Sequence, residues 1–191
     1  MTYVDGESFD KINATENPLP RGEYEQCTFT NCNFSQCDLS EYKFVECEFV
    51  RCNISVAKLV MTALRDVKFK DCKMLGLRFE DCNEFGLSVS FDSCLLTMSS
   101  FYRTKMSNIV FKDSLLKEVD FTECDLTGAT FDNCDCTSAL FERTILEKAD
   151  FRTSFNYSID PETNSIKKAK FSFSGILGLL NKYDIEIDTT R

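Results

Sequence analysis

The chain has 191 residues, 31 Asp and Glu against 22 Lys and Arg, a formal net charge of −9, and no histidine. A chain of this length can bury one sizeable core; its acidity argues against nucleic-acid binding through general phosphate neutralisation, and the missing histidines remove imidazole acid–base chemistry and the commonest metal ligand. No basic-then-apolar leader opens it and no apolar run approaches about 18 residues, so a soluble, cytoplasmic protein is expected, with no membrane and no direct nucleic-acid contact.

Residues 1–21 are irregular. Asn17-Pro-Leu-Pro20 breaks any pattern, and the segment is expected to cap the first regular coil, with Phe9 heading a stack. From residue 22 a large apolar side chain returns every five residues: Tyr24, Phe29, Phe34, Leu39, Phe44, Phe49, Ile54, Leu59, Leu64, Phe69, Met74, Phe79. A two-residue insertion near Glu84-Phe85-Gly86 then shifts the phase, and Phe91, Leu96, Phe101, Met106, Phe111, Leu116, Phe121, Leu126, Phe131, Cys136, Phe141, Leu146 and Phe151 continue the series. Five is neither the helical period nor that of a flat strand.

Two residues before each of these lies a mostly small residue, and ten of the eleven cysteines, all but Cys136, fall in that slot. Their spacing of five or ten differs from the short gaps of zinc ligands, and an odd count without a leader argues against a disulfide framework. Cysteine is read here as a small buried hydrophobe. A longer period overlies the short one. Phe29, Phe49, Phe69, Phe91, Phe111, Phe131, Phe151 and Phe171 recur at twenty once the insertion is allowed for, so four five-residue units make one turn of a solenoid of seven to eight coils.

Cys-Asp-Leu-Ser-Glu at 37–41, Cys-Asp-Leu-Thr-Gly at 124–128 and Ala-Asp-Phe-Arg-Thr at 149–153 resemble the pentapeptide-repeat family over residues 22–171. The resemblance implies an all-β, right-handed, four-sided β-helix. The ending, Asn156-Tyr-Ser-Ile-Asp-Pro161 and Lys168-Ala-Lys-Phe-Ser172, is similar to that of quinolone-resistance and microcin-immunity members. That branch implies a DNA-shaped competitor of DNA gyrase and a homodimer formed through the C-terminal tail.

In residues 172–191, Ser174 is the expected N-cap of a short helix that lines up Phe173, Ile176, Leu177 and Leu180, read either as a cap over the open end of the solenoid or as a dimer face, and 184–188 alternate like an edge strand. Three outward-facing features are candidate contacts. Lys70, Asp92, Lys112, Asp132 and Arg152 alternate in sign at successive coils and predict an ion ladder. Leu75, Leu95, Met98 and Leu115, with Val56, Val60 and Met61, predict an apolar face. Asp113, Glu118, Asp120, Glu123 and Asp125 predict an acidic face in the second half, whereas Lys43, Lys58, Lys68, Lys73 and Arg78 occupy outward positions in the first half and make the charge of the rod mixed. No catalytic constellation, phosphate loop or cofactor site is expected. The sequence supports two readings, a gyrase-directed DNA mimic and a structural scaffold for another protein partner.

Overall fold

An apolar side chain every fifth residue, returning every twentieth, forces the chain to coil so that like side chains stack. The computed structural model, which describes residues 2–183 and 185–188, has this form: an all-β parallel solenoid of about seven turns. Strands β1 (Thr2–Asp5), β3 (Gly22–Glu25), β5 (Lys43–Val45) and β7 (Ala63–Arg65) form one parallel sheet. The other runs through β2 (Ser8–Asp10), β4 (Thr28–Thr30), β6 (Glu48–Val50), β8 (Val67–Lys70), β9 (Val89–Asp92), β10 (Val110–Lys112) and β11 (Thr130–Asp132). Phe29 pairs with Phe49, Phe49 with Phe69, Phe91 with Phe111 and Phe111 with Phe131; Phe69 pairs with Phe91, twenty-two residues on, across the insertion. Two further ladders consist of single bridges, such as Leu95 to Leu115 and Ser100 to Asp120.

Residues 2–21, expected to lie over the first coil, are themselves a coil, because β1 pairs with β3 and β2 with β4 in register. Phe9 stacks on Phe29 with ring centroids 4.9 Å apart. Every large residue of the five-residue series from Tyr24 to Phe151 is buried. Stacked rings of one ladder meet the next edge-on, as with Phe111 between Phe91 and Phe131 at 5.3 and 5.1 Å and against Phe121 at 5.7 Å. Aromatic pairs favour both geometries. The insertion forms a protrusion at the expected place: Phe85 is exposed, and the Arg65 guanidinium lies over its ring.

The corners show a feature that the apolar pattern does not reveal. Among the described residues twenty-four non-glycine residues, most of them two positions after a large apolar one, have positive φ, as do Gly6, Gly76 and Gly128 in the same slot and Gly86 in the insertion. The next small residue often closes the corner by donating to the large residue's carbonyl, as Cys37 does to Phe34 at 3.1 Å. A type II turn has this arrangement and needs positive φ at its third position.

All eleven cysteines are free, and only Cys37 is even half-exposed. The thiols of Cys52 and Cys72 donate to the Phe29 and Phe49 carbonyls one coil back, both at 3.3 Å, while their sulfurs accept the backbone N–H of Cys32 and Cys52. Burial pushes the Cys47 and Cys134 thiols up to about 11 and those of Cys82 and Cys124 up to about 12. Thiolate is the reactive form. Native protein treated with an aromatic disulfide reagent should therefore release at most one equivalent of thiol rapidly, from Cys37, and all eleven after denaturation. Rapid native reaction of several thiols would mean that the small slots are not interior.

The C-terminal segment departs from expectation. Ser174–Leu179 and Asn181–Tyr183 are 3-10 turns, Ser174 makes no capping bond, and Ser172 Oγ instead accepts the Gly175 N–H at 3.0 Å. The reason is close docking: Gly175 and Gly178 lie so near Tyr157 that any side chain there would collide with it, and Ile159 N–H donates to the Gly178 carbonyl at 3.0 Å. Lys182 then pairs with Asp160 and Glu162, both at 2.7 Å. Residues 185–188 are not a strand; Asp184 lies outside the described residues.

Candidate partner-binding surfaces

A solenoid projects its sequence onto its axis, so outward side chains five apart lie on successive ladders around one turn and those twenty apart stack along one ladder. Asp113, Glu118 and Glu123 are five apart and occupy three successive corners. Asp120 bridges to Ser100 and Leu140, and Asp125 to Lys105 and Ile145, on two different ladders. The five candidate carboxylates therefore form a partial girdle, at three of the four corners and on two of the sides of the turn 110–129; they do not share one face.

Several are already engaged. Asp120 Oδ1 accepts the Thr122 N–H at 2.8 Å and Asp125 Oδ1 that of Thr127 at 3.0 Å, closing Asx turns and leaving the second oxygen of each outward. Asp113 accepts from Asn133 at 2.7 Å. Glu123 lies between Arg103 at 2.6 Å and Arg143 at 2.8 Å, whose hydrogen bonds hold its carboxyl below the usual range.

The expected ion ladder forms at one step only, Lys112 to Asp92 at 3.5 Å. Arg152 turns instead to Asp150 at 2.7 Å, and Asp132 accepts from Thr153 at 2.9 Å. The better ladder runs along a positive-φ column, where Arg21 meets Glu41 at 3.0 Å and Arg103, Glu123 and Arg143 form a triad. Its alternation at twenty was present in the sequence; the signal sat two residues after the large apolar residue, not one.

Charge is banded along the rod. Residues 1–50 carry ten carboxylates against three basic side chains, 51–109 carry six against nine, and 110–149 carry nine against four. The N-terminal turns are as acidic as the later band, and the outward basic residues named for the first half, Lys43 apart, lie in the waist. Of these three bands the waist is the basic one.

The apolar candidates do share a surface. Leu95 and Leu115 stack on one ladder above Lys73. On the adjoining column Val56 and Met98 flank Gly76, and the Val56 N–H donates to the Leu75 carbonyl at 2.8 Å. Val56, Leu95 and Met98 are 58%, 44% and 64% exposed; Leu75 and Leu115 are half-buried. Val60 and Met61 are exposed around the corner. At the C-terminus Phe173, Ile176 and Leu177 are exposed, whereas Leu180 is half-buried and Leu179 packs on the core.

A solenoid built from five-residue units that stack at twenty is the architecture of a repeat protein. The family model for the pentapeptide repeat region matches residues 23–85 and 87–151, and the chain belongs to the pentapeptide-repeat family. No curated protein matches it in sequence. Among solved structures it is similar to a trypsin-treated variant of QnrB1, a plasmid-mediated fluoroquinolone resistance protein, at 15% identity and a TM-score of 0.63, with 97% of each chain covered. It is also similar to HetL, a pentapeptide repeat protein involved in heterocyst differentiation regulation from the cyanobacterium Nostoc sp. strain PCC 7120, at 13% identity and a TM-score of 0.51, covering 88% of this chain and 84% of HetL. At such identities these likenesses are likenesses of fold. No helix among the described residues is long and apolar enough to cross a membrane.

Proposed function

We propose that the chain is a non-enzymatic, cytoplasmic binding protein: a right-handed, four-sided rod that engages DNA gyrase, or another type II topoisomerase, in place of duplex DNA and so shelters it from a quinolone or a toxin. The observation that carries this reading is the density and disposition of charge. Two turns of about 4.8 Å span about 10 Å, over which duplex DNA carries about six phosphate charges. Residues 110–149 fill two turns with nine carboxylates against four basic side chains, wrapped around the axis as phosphates wrap a duplex. The whole-length likeness to a fluoroquinolone resistance protein supports the same reading.

A supercoiling assay with purified gyrase, with and without a quinolone, is the test. The protein should inhibit supercoiling or restore it in the presence of the drug, and the effect should weaken as salt rises, because charge complementarity is screened. Neither effect at micromolar protein and low salt would remove gyrase as the target.

The tail adds a second expectation. Phe173, Ile176 and Leu177 form an exposed apolar group on a docked, glycine-anchored segment, and we assign to it a homodimer contact. Sedimentation should give twice the chain mass, and the triple substitution to Ser should give the monomer. A wild-type monomer at all concentrations would overturn this assignment.

A further inference from the structure

The apolar surface at the waist differs from an ordinary scatter of exposed hydrophobics in the backbone that presents it. Of the twenty-four non-glycine residues with positive φ, only Val56, Met61 and Met98 are apolar, and they lie together. Positive φ is uncommon for any L-residue and a genuine outlier for a β-branched one. Val56 has φ 57°, yet its side chain is 58% exposed and contributes little to the core. The turn imposes this backbone state on whatever residue fills the slot, so an apolar, β-branched choice that returns little burial points to a contact outside the protein.

The surface extends over four turns, from Val56 through Leu75 and Leu95 to Leu115, and Gly76 leaves a one-turn notch between Val56 and Met98. Its setting is basic. Lys58 and Lys73 border it and are in none of the ion pairs among the described residues, and the turns that carry most of it, residues 51–109, hold nine basic side chains against six carboxylates. An extended strand cannot add here, because the backbone groups are already used along the axis: Leu95 N–H donates to Cys72, Leu96 to Leu115 and Met98 to Lys117, at 2.9, 2.9 and 3.0 Å. A helix lying parallel to the axis fits better. Its pitch of about 5.4 Å nearly matches the coil spacing of about 4.8 Å, so successive helical turns meet successive coils.

We propose that the waist is a docking surface for an acidic amphipathic helix of a partner protein, whose apolar side chains cover Val56, Leu95 and Met98 and whose carboxylates meet Lys58 and Lys73. This surface adjoins the acidic girdle at Leu115 and Glu118, one coil beyond Leu95 and Met98, but its occupant is a different one from that of the topoisomerase reading.

Two labelled synthetic peptides test it by fluorescence anisotropy: a helix-forming peptide of about 14 residues, roughly four turns, with Leu at i, i+3, i+4 and i+7 and Glu alongside, and its Lys-for-Glu counterpart. The full-length protein should bind the acidic peptide about tenfold or more tightly than the basic one. The double variant Val56→Asn, Met98→Asn should lose about tenfold or more in affinity while its thermal midpoint holds or rises, because Asn tolerates positive φ. Leu95→Gln, on a ladder position with ordinary backbone, is the second variant and should also weaken binding. Equal affinity for the two peptides, no binding of either, or unchanged binding by both variants would overturn the proposal. So would a waist-dependent doubling of mass that the double variant abolishes, which would give the surface to a second copy of the chain.

Discussion

Replacing Phe111 by Ala should destabilise the protein by about 3–5 kcal/mol, the range for removing a large ring from a packed core. Phe111 is fully buried midway along the rod, stacked between Phe91 and Phe131 and edge-on to Phe101 and Phe121 at 5.7 Å each. The loss has two parts, the transfer free energy of the ring and a cavity that rigid neighbouring coils cannot close. Solenoid stability is close to a sum of nearest-neighbour terms, so the damage falls on the contacts of one coil with the two beside it. Phe9→Ala supplies the comparison: that ring meets Phe29 and Tyr24, has no coil beyond it among the described residues, and is only half-buried. Its loss should therefore be clearly smaller. Chemical denaturation of the two variants measures both; a Phe111→Ala loss below about 1 kcal/mol would mean that the ring is not in the packed stack.

The backbone of this molecule is legible in its sequence because a solenoid repeats one local decision. Large residues at five and Phe at twenty specify which side chains stack, and the two-residue slip at 84–86 appears as the Phe69–Phe91 register. The surface was legible too, but only when the same twenty-residue rule is applied to polar residues. Asp113, Glu118 and Glu123 are five apart and had to lie on different ladders; Arg103, Glu123 and Arg143 are twenty apart and had to stack.

Two features were hidden for physical reasons. Positive φ at the corners is imposed by the closing turn and is borne there by Gln, Glu, Arg and Val alike, so composition at that slot gives little warning. The C-terminal segment reads as an amphipathic helix by spacing, but Gly175 and Gly178 are there for contact with Tyr157, and that contact sets its conformation.

The acidic girdle yields the second large effect. Asp120→Asn with Asp125→Asn should raise the protein concentration needed to inhibit gyrase, or to protect it, about tenfold or more, through loss of two of the outward carboxylates that hold charge complementarity. Lysine would be a poorer choice than asparagine. Both carboxylates accept a backbone N–H two residues on, so an ammonium group would open the Asx turns as well as reverse the charge, and loss of activity could then follow from distortion. Asparagine keeps the accepting oxygen and removes only the charge. The pair sits on adjacent ladders of one turn, so the variant thins the girdle on two sides without touching the Arg103–Glu123–Arg143 triad. Its denaturation midpoint should match the wild type, and its effect on gyrase should depend less steeply on salt. If wild-type protein acts on gyrase and the double variant acts equally well at the same salt, the contact lies elsewhere, and the N-terminal turns, with ten carboxylates against three basic side chains, become the band to neutralise next.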